Sequence, residues 1–193
     1  MLDAKNVLIG SPDQVAGVGA ILSAPLGTTL PTSADAALDA AFKDSGYISE
    51  DGLTLSNSVS TADIRDWSGD LVRRIKSSFE GTLSWNHLET NEQALKNAFG
   101  DSAVTATAAS QTHGAQLAVS VSGELPAAKS WAFKIKDGDA RVLIVAPNAQ
   151  VTTLGDTSFT SGGAITWPVT LSCYPDTNGN SLYIYTDDGI TTA

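Results

Sequence analysis

The chain has 193 residues, which fits one domain with a buried core of its own. Its 21 acids against 11 bases give a formal charge of −10, which disfavours nucleic-acid binding through clustered lysines and arginines. Cys173 is the only cysteine, so an intrachain disulfide and a single-chain thiolate metal site are excluded.

Residues 1–32 are rich in Gly, Ala, Ser and Pro, and only residues 18–22 have the pattern of an extended segment. The first six residues lack the apolar core of a secretory signal. Because this segment has too little apolar surface for its own core, we expect an N-terminal arm. It lies either on its own domain or on a neighbouring subunit. Residues 33–193 are expected to form a single domain.

A short helix is predicted over residues 33–43. Leu38, Ala41 and Phe42 fall at helical spacing there, and Ser33 has a side chain suited to cap the start. The apolar stripe is narrow, so the helix is expected to pack along one side only.

A second helix is predicted over residues 91–99. Thr90 and Gln93 have the spacing of a capping box, and Gly100 follows where a helix commonly ends. Two to three turns are marginal in isolation, so this helix must pack against a larger element.

Four runs alternate apolar and polar residues with the two-residue period of a half-buried strand. The runs cover residues 79–86, 115–122, 131–136 and 165–173. Asp137-Gly138 follows the third run and Asn178-Gly179 the fourth, and both pairs are typical of hairpin turns. Pro168 predicts a bulge or a sheet edge, because proline cannot donate to the ladder. The sequence therefore predicts a mainly β fold, an antiparallel sandwich or barrel with one short packed helix.

Patterns typical of catalysis or of metal binding do not occur in the sequence. His87 and His113 have no acid at a ligand spacing. Asp176, Asn178 and Asn180 alternate in a glycine-containing loop, but the glutamate of a calcium loop does not follow them. We therefore predict no catalytic residue, no metal and no cofactor.

Arg73, Arg74 and Lys76 form the one local excess of positive charge. A nucleic-acid site would favour aromatic residues interleaved with the basic ones, and none occur here. A contact with the acids of another subunit and an ordinary solvated face both remain open for this cluster.

Three sequence blocks carry a resemblance to a known family. They are Gly46-Tyr47-Ile48-Ser49-Glu50-Asp51-Gly52, Trp67-Ser68-Gly69-Asp70-Leu71-Val72-Arg73 and Glu89-Thr90-Asn91. In order and spacing they resemble the major tail tube proteins of siphophages that infect actinobacteria, and residues 25–100 carry most of the resemblance. The motif positions taken over as candidate assembly residues are Gly46, Tyr47, Glu50, Asp51, Gly52, Trp67, Gly69, Asp70 and Arg73.

The resemblance implies a β-sandwich with a flanking helix, whose subunits close into hexameric rings that stack into a tube. Strand edges left open in one subunit would be paired by the next. The implied partners are further copies of the chain, a tape measure protein, a tail terminator and distal tail proteins. Viral DNA would pass through without specific binding. The implied location is the virion, after assembly in the host cytoplasm.

In the resembling family a long excursion between strands reaches an adjacent ring, and residues 52–78 correspond to it here. Trp67 would be its apolar anchor, with an ordinary core tryptophan as the alternative. Arg74 and Lys76 are expected charge contacts between subunits. Glu80, on a polar strand face, is expected to point into the bore, because a wall that binds phosphates would retain DNA.

The main alternative is a carbohydrate- or protein-binding β-sandwich of a virion or cell surface, because tryptophans stack well on sugars. Three of the four tryptophans, Trp85, Trp131 and Trp167, fall on predicted core positions, which disfavours this alternative. A tube protein of a gene-transfer particle or of a contractile tail is not separated from the leading hypothesis by sequence.

Overall fold

The computed structural model describes residues 6–15 and 17–191. Within them the chain forms eleven β-strands, one α-helix and a short 3-10 turn at Asp101–Ala103. No helix among these residues is long and apolar enough to cross a membrane. The elements are β1 Ser11–Pro12, β2 Ile21–Pro25, β3 Lys43–Asp44, β4 Thr54–Arg65, β5 Leu71–His87, α1 Glu92–Phe99, β6 Val104–Thr107, β7 Gln116–Val119, β8 Lys129–Asp137, β9 Ala140–Leu154, β10 Trp167–Tyr174 and β11 Tyr183–Asp187.

Nine strands form one sheet in the order β3-β2-β8-β9-β10-β5-β4, with β1 added on β8 and β11 on β9. The remaining two, β6 and β7, pair with each other. All of these pairings are antiparallel. The predicted antiparallel, mainly β fold is thereby confirmed.

The large sheet curls until β2 and β5 come close together. In a flat sheet, three strand spacings would separate β5 from β8 by roughly 14 Å. The rings of Trp85 on β5 and Trp131 on β8 are nevertheless only 5.4 Å apart. The backbone N–H of Ser45 donates to a carbonyl of β2, and that of Leu88 donates to the carbonyl of Tyr47. The segment after β3 thus bridges β2 and β5 and gives the sheet a barrel-like form.

The barrel interior holds the main hydrophobic core. Trp85 packs edge-on against Trp131 and Phe133, with centroids 5.4 Å apart in both pairs. Around them lie further buried apolar residues from four strands. These are Ile21, Leu83, Ile144, Ala146, Ala149, Val151, Val169, Leu171 and Cys173. The strand faces predicted as core around residues 83–85, 131–133 and 169–173 are therefore correct.

The helix predicted over residues 33–43 does not form. The Ser33 hydroxyl donates to Asp35 at 2.5 Å, and the Ala41 N–H donates to the Asp39 carboxylate at 2.9 Å. Such local bonds satisfy the backbone without a helix. The apolar residues of the segment, Phe42 among them, are instead packed on the outer face of β2, β8 and β9.

The second predicted helix is present as Glu92–Phe99, with a different cap. Asn91, rather than Thr90, accepts a hydrogen bond from the backbone, at 2.7 Å. The Gln93 amide donates to Asn97 at 3.0 Å instead of turning back to the helix start. An asparagine directly before the first turn replaces the capping box because its short side chain reaches the same free N–H groups.

A buried polar network ties α1 to the barrel. The Asn97 oxygen accepts from the Ser23 hydroxyl at 2.8 Å and from the Lys129 ammonium at 3.3 Å. Its amide nitrogen donates to Ser45 at 2.7 Å, and Lys129 also pairs with Asp101 at 2.7 Å. Each buried polar group in this set has a partner, as stability requires.

One of the two predicted hairpins is correct. β8 and β9 form a hairpin with Gly138 at φ 59 in its turn. The second is wrong, because β10 does not pair with β11. Both strands pair with β9, one after the other along its 15 residues. The Asn178-Gly179 turn is present, with Gly179 at φ 79, but it reconnects two strands that lie in line.

Two smaller predictions also change. Pro168 lies in β10 beside Asn86 of β5, so it does not mark an edge, and the bulge lies between Thr170 and Leu171. The strand predicted over residues 115–122 is shorter, spans β7, and pairs only with β6. Its apolar residue Leu117 is exposed, so this strand contributes no core face.

The segment 1–32 is only partly an arm. β2 lies inside it, between β3 and β8, and Ile21, Leu22 and Ala24 are buried. Residues 7–12, in contrast, are exposed. Docking of this outer part on a neighbour stays a prediction.

Candidate assembly surfaces

β4 and β5 continue beyond the barrel as a two-stranded hairpin. Every residue from 56 to 80 is exposed, and β10 pairs only with residues 81–87 of β5. We call residues 56–80 the arm. Most of the excursion expected at residues 52–78 is therefore a paired β-hairpin and not an irregular loop.

The tip of the arm is a tightly bonded loop. The Asp70 N–H donates to the Asp66 carboxylate at 2.8 Å, and the Asp66 N–H donates to the Asp70 carbonyl at 3.0 Å. Gly69 has φ 90, and Arg65 donates to its carbonyl at 2.9 Å. This loop holds Trp67 outward with its side chain fully exposed, at 104%. The alternative of a core tryptophan at this position is wrong.

The arm carries many exposed apolar side chains. The exposed set is Val59, Ile64, Leu71, Val72, Ile75 and Phe79. A two-stranded hairpin on its own is marginal in water, and contiguous exposed apolar surface is typical of contact sites. The arm therefore has the character of a surface that another chain covers.

The basic cluster divides into paired and unpaired groups. Arg74 binds both carboxylate oxygens of Asp63, at 2.7 and 3.2 Å, and this partner raises the pKa of Arg74. The Lys76 ammonium lies 5.4 Å from the centre of the Phe79 ring. Arg73 has no ion pair among the described residues. Of the three, Arg73 is the most available to another subunit.

The first part of the family motif forms a joint within the chain. Gly46 has φ 82, and a Cβ at this position would lie 2.4 Å from the carboxyl carbon of Glu89. The same carboxylate accepts from the Tyr47 N–H and from the Asn91 side chain, both at 2.8 Å. The Tyr47 side chain is 61% exposed. Gly46 thus serves the closure of the barrel, whereas Tyr47 is available to other chains.

The next motif residues form a turn before β4. Gly52 has φ 69 and donates its N–H to the Ser49 carbonyl at 3.0 Å. Asp51 accepts from the Ser49 hydroxyl and from Asn86, both at 3.2 Å. Glu50 is exposed. An assembly role for these positions stays a prediction.

One outer face of the sheet is almost uncharged and rich in hydroxyls. Residues paired across β4, β5, β10 and β9 share this face. They are Thr54, Ser56 and Ser58 on β4, Glu80, Thr82 and Ser84 on β5, Thr170 and Ser172 on β10, and Gln150 on β9. Glu80 is the one charged residue of this set. We call this surface the hydroxyl face.

An aromatic surface that the sequence did not reveal lies at the end of the barrel opposite the arm. Phe159 is 71% exposed, and its ring lies 6.3 Å from Trp167, which in turn lies 5.7 Å from Phe99. Ile165 beside them is also exposed. We call Phe159, Ile165 and Trp167 the end patch. The available signal was an isolated phenylalanine in a loop of Ser, Thr and Gly.

The buried titratable groups point away from catalysis. His87 accepts from the Trp85 indole N–H at 3.0 Å, and burial lowers the pKa of His87 to about 4, so it is neutral at pH 7. Burial raises the pKa of the Cys173 thiol to about 12, which keeps it unreactive. No group of three or more potential metal ligands occurs in the described ranges.

The sequence pattern of the family described as phage tail tube protein matches residues 11–193. The chain therefore belongs to the phage tail tube protein family, as its motif blocks predicted. Among curated protein sequences, none matches it.

Several solved structures are weakly similar to the chain. The cap of the anti-feeding prophage, which terminates its tube, is 14% identical over 94% of both chains, with a TM-score of 0.45. The sheath/tube terminator of an extracellular contractile injection system is 12% identical, covers 85% of this chain and 91% of its own, and has a TM-score of 0.40. A chain of a gene transfer agent virion is 12% identical, and the match covers 78% of this chain and 92% of that one, with a TM-score of 0.38.

Family membership defines the general role. The chain is a structural component of the phage tail tube and a part of the virion, and it assembles into a multi-subunit tube with other tail components. The family is structural rather than enzymatic.

Proposed function

We propose that this chain closes into hexameric rings that stack into the hollow tube through which the genome leaves the virion. The observation that carries this proposal is the arm, a 25-residue hairpin exposed throughout and ending in a fully exposed tryptophan. Such a surface is covered in a stable particle.

Ring closure uses open strand edges. Within residues 6–15 and 17–191, β4 pairs with β5 on one side only, so its other edge presents free N–H and C=O groups to a neighbouring copy. A neighbouring copy that pairs there satisfies these groups, and repeated heterologous contacts close a ring when the rotation allows it.

Stacking uses the arm, which corresponds to the excursion at residues 52–78. Trp67 is its apolar anchor, and Arg73 is the free charge that meets acids of the next ring. Tyr47 and Glu50 are exposed and available for contacts, whereas Arg74 and Lys76 contribute mainly by shaping the arm.

The hydroxyl face lines the bore, with Glu80 as its carboxylate. A wall of hydroxyls and carboxylates offers phosphates no cation, so DNA slides without specific binding. Replacing Glu80 with lysine should slow DNA release from assembled particles. The charge-matched control is Glu124→Lys, at an exposed loop position. Unchanged release from Glu80→Lys particles would contradict a bore-facing Glu80.

The further partners are a tape measure protein within the tube, a terminator at one end and distal tail proteins at the other. Assembly takes place in the host cytoplasm, and the particle is a siphophage tail.

Negative-stain electron microscopy of the purified protein tests the proposal. We expect rings or hollow tubes, either at high protein concentration or with tail initiation proteins added. A protein that remains monomeric under these conditions and binds glycans would support the carbohydrate-binding alternative instead.

A further inference from the structure

Two exposed aromatic features lie at opposite ends of one strand. β5 begins at Leu71, next to the arm tip with Trp67, and ends at His87, which pairs with Trp167 of the end patch. Sixteen residue steps at about 3.3 Å place these ends roughly 50 Å apart. Each copy therefore presents one aromatic surface forward and another backward.

A contact between opposite ends of identical subunits is heterologous. Such a contact repeats along an axis without closing, provided that the rotation does not bring the chain of subunits back on itself. The arm tip and the end patch have the placement that an axial stack requires, because one β-strand connects them.

The two ends differ in charge: the arm is neutral overall, whereas the segments around the end patch are acidic. Residues 54–81 hold four of the 11 bases and four of the 21 acids, so the rest of the chain holds 7 bases and 17 acids. Three segments adjoin the end patch: 45–53, 84–92 and 154–166. They contain no lysine or arginine, and their acids are Glu50, Asp51, Glu89, Glu92 and Asp156.

Both surfaces are held in place before any contact. The tip loop is fixed by bonds between Asp66 and Asp70, and Trp167 is held between the rings of Phe99 and Phe159 and by a 3.1 Å bond to Thr90. Rigid aromatic groups lose little conformational entropy on binding, which favours them as anchors.

We propose that Trp67 of one subunit packs against the end patch of a second copy in the next ring, with Arg73 of the arm facing the acids around that patch. This inference rests on the proposed function, because it names the surface that receives the arm when rings stack.

Polar replacement on each side of the contact tests it. Trp67→Ser and Phe159→Ser should each abolish tubes, leaving rings or single subunits in electron micrographs. The control Val121→Ser removes another exposed apolar side chain, 73% exposed, and should leave the tubes intact. Circular dichroism of the unassembled variants should match that of the wild type, because both replaced side chains are largely exposed.

Cysteine cross-linking tests the pairing itself. The double variant Trp67→Cys/Phe159→Cys should give a ladder of disulfide-linked multimers under oxidation, because each copy links forward and backward. Either single variant can give at most dimers, since Cys173 is buried.

The outcomes separate this contact from the proposed function. If wild-type tubes form but Phe159→Ser tubes are normal, or the double variant stops at dimers, the end patch does not receive the arm, although the tube role stands. If the wild type forms neither rings nor tubes, the proposed function fails, and this inference fails with it.

Discussion

The barrel and the arm share the same strand but differ in what surrounds it. In β5, residues 81–87 alternate between buried and half-buried, whereas residues 71–80 are all exposed although they include Leu71, Ile75 and Phe79. The barrel half faces Trp131 and Phe133 across the core, and the arm half faces only β4 and solvent. Burial therefore depends on a second layer, and we expect the arm to acquire one only when subunits assemble.

The largest expected effect compares one tryptophan from each region. Trp85 is 3% exposed and packs on two aromatic rings, so Trp85→Ala should lower the free energy of unfolding by about 3–5 kcal/mol. Trp67→Ala should change it by less than about 0.5 kcal/mol, because the Trp67 side chain is fully exposed. Urea unfolding of the unassembled protein measures both. A comparable loss for Trp67→Ala would show that the arm folds back on its own barrel.

The second effect is the pH dependence of stability that the buried His87 gives to the barrel. Burial lowers the pKa of His87 from 6.5 to about 4, so between these values the unfolded chain binds more protons than the folded one. Stability from this group is complete above pH 6.5 and is lost as the pH falls towards 4. The difference between the two pKa values corresponds to a loss of at most about 3 kcal/mol in the free energy of unfolding.

Two histidine variants distinguish the contribution of His87 to this pH dependence from that of the carboxylates, which also titrate in acid. His87→Gln should flatten the difference in unfolding free energy between pH 7 and 4.5, whereas His113→Gln, in the loop between β6 and β7, should not. Identical pH profiles for the wild type and His87→Gln would show that the histidine is not held neutral.

The smallest effect concerns two motif glycines in the segment between β3 and β4. Gly46→Ala and Gly52→Ala both place a side chain at positive φ, which costs about 1–2 kcal/mol each. Only at Gly46 does the new Cβ collide, with the Glu89 carboxylate, whereas nothing lies within 4 Å at Gly52. Breaking the bonds from Glu89 to Tyr47 and Asn91 should add about 1–2 kcal/mol. Thermal unfolding measures the difference, and equal losses would show that the joint does not support the barrel.

Local sequence patterns predicted elements whose partners lie nearby in the chain. The helix at residues 92–99, the β8–β9 hairpin and the inward faces of β5 and β10 agree with the structure. The helix over 33–43 failed because short polar side chains satisfied the backbone locally. The second hairpin prediction failed because turn residues indicate where the chain reverses or bends but not which strand it pairs with; β10 and β11 both pair with β9.

The candidate surfaces were less predictable. For Trp67 the motif blocks left a contact anchor and a core position open, and the structure shows that the side chain is exposed. The blocks did not distinguish Gly46, which serves an internal joint, from Tyr47, which faces outward. Phe159 was missed because a lone aromatic residue in a polar loop has no periodicity to mark it.

By itself, the sequence determined the mainly β class, the tail tube family and the uneven distribution of basic residues. The alternation of apolar and polar residues and the turn residues depend on only a few neighbouring positions, and the spacing of motifs can be read directly from the sequence. Only the tertiary structure decided which apolar residues are core and which are uncovered. Trp85 and Trp67 are both tryptophans near one long strand, yet one is 3% exposed and the other 104%. The physical reason is that burial requires a second layer, and residues distant in sequence supply that layer for Trp85 but not for Trp67.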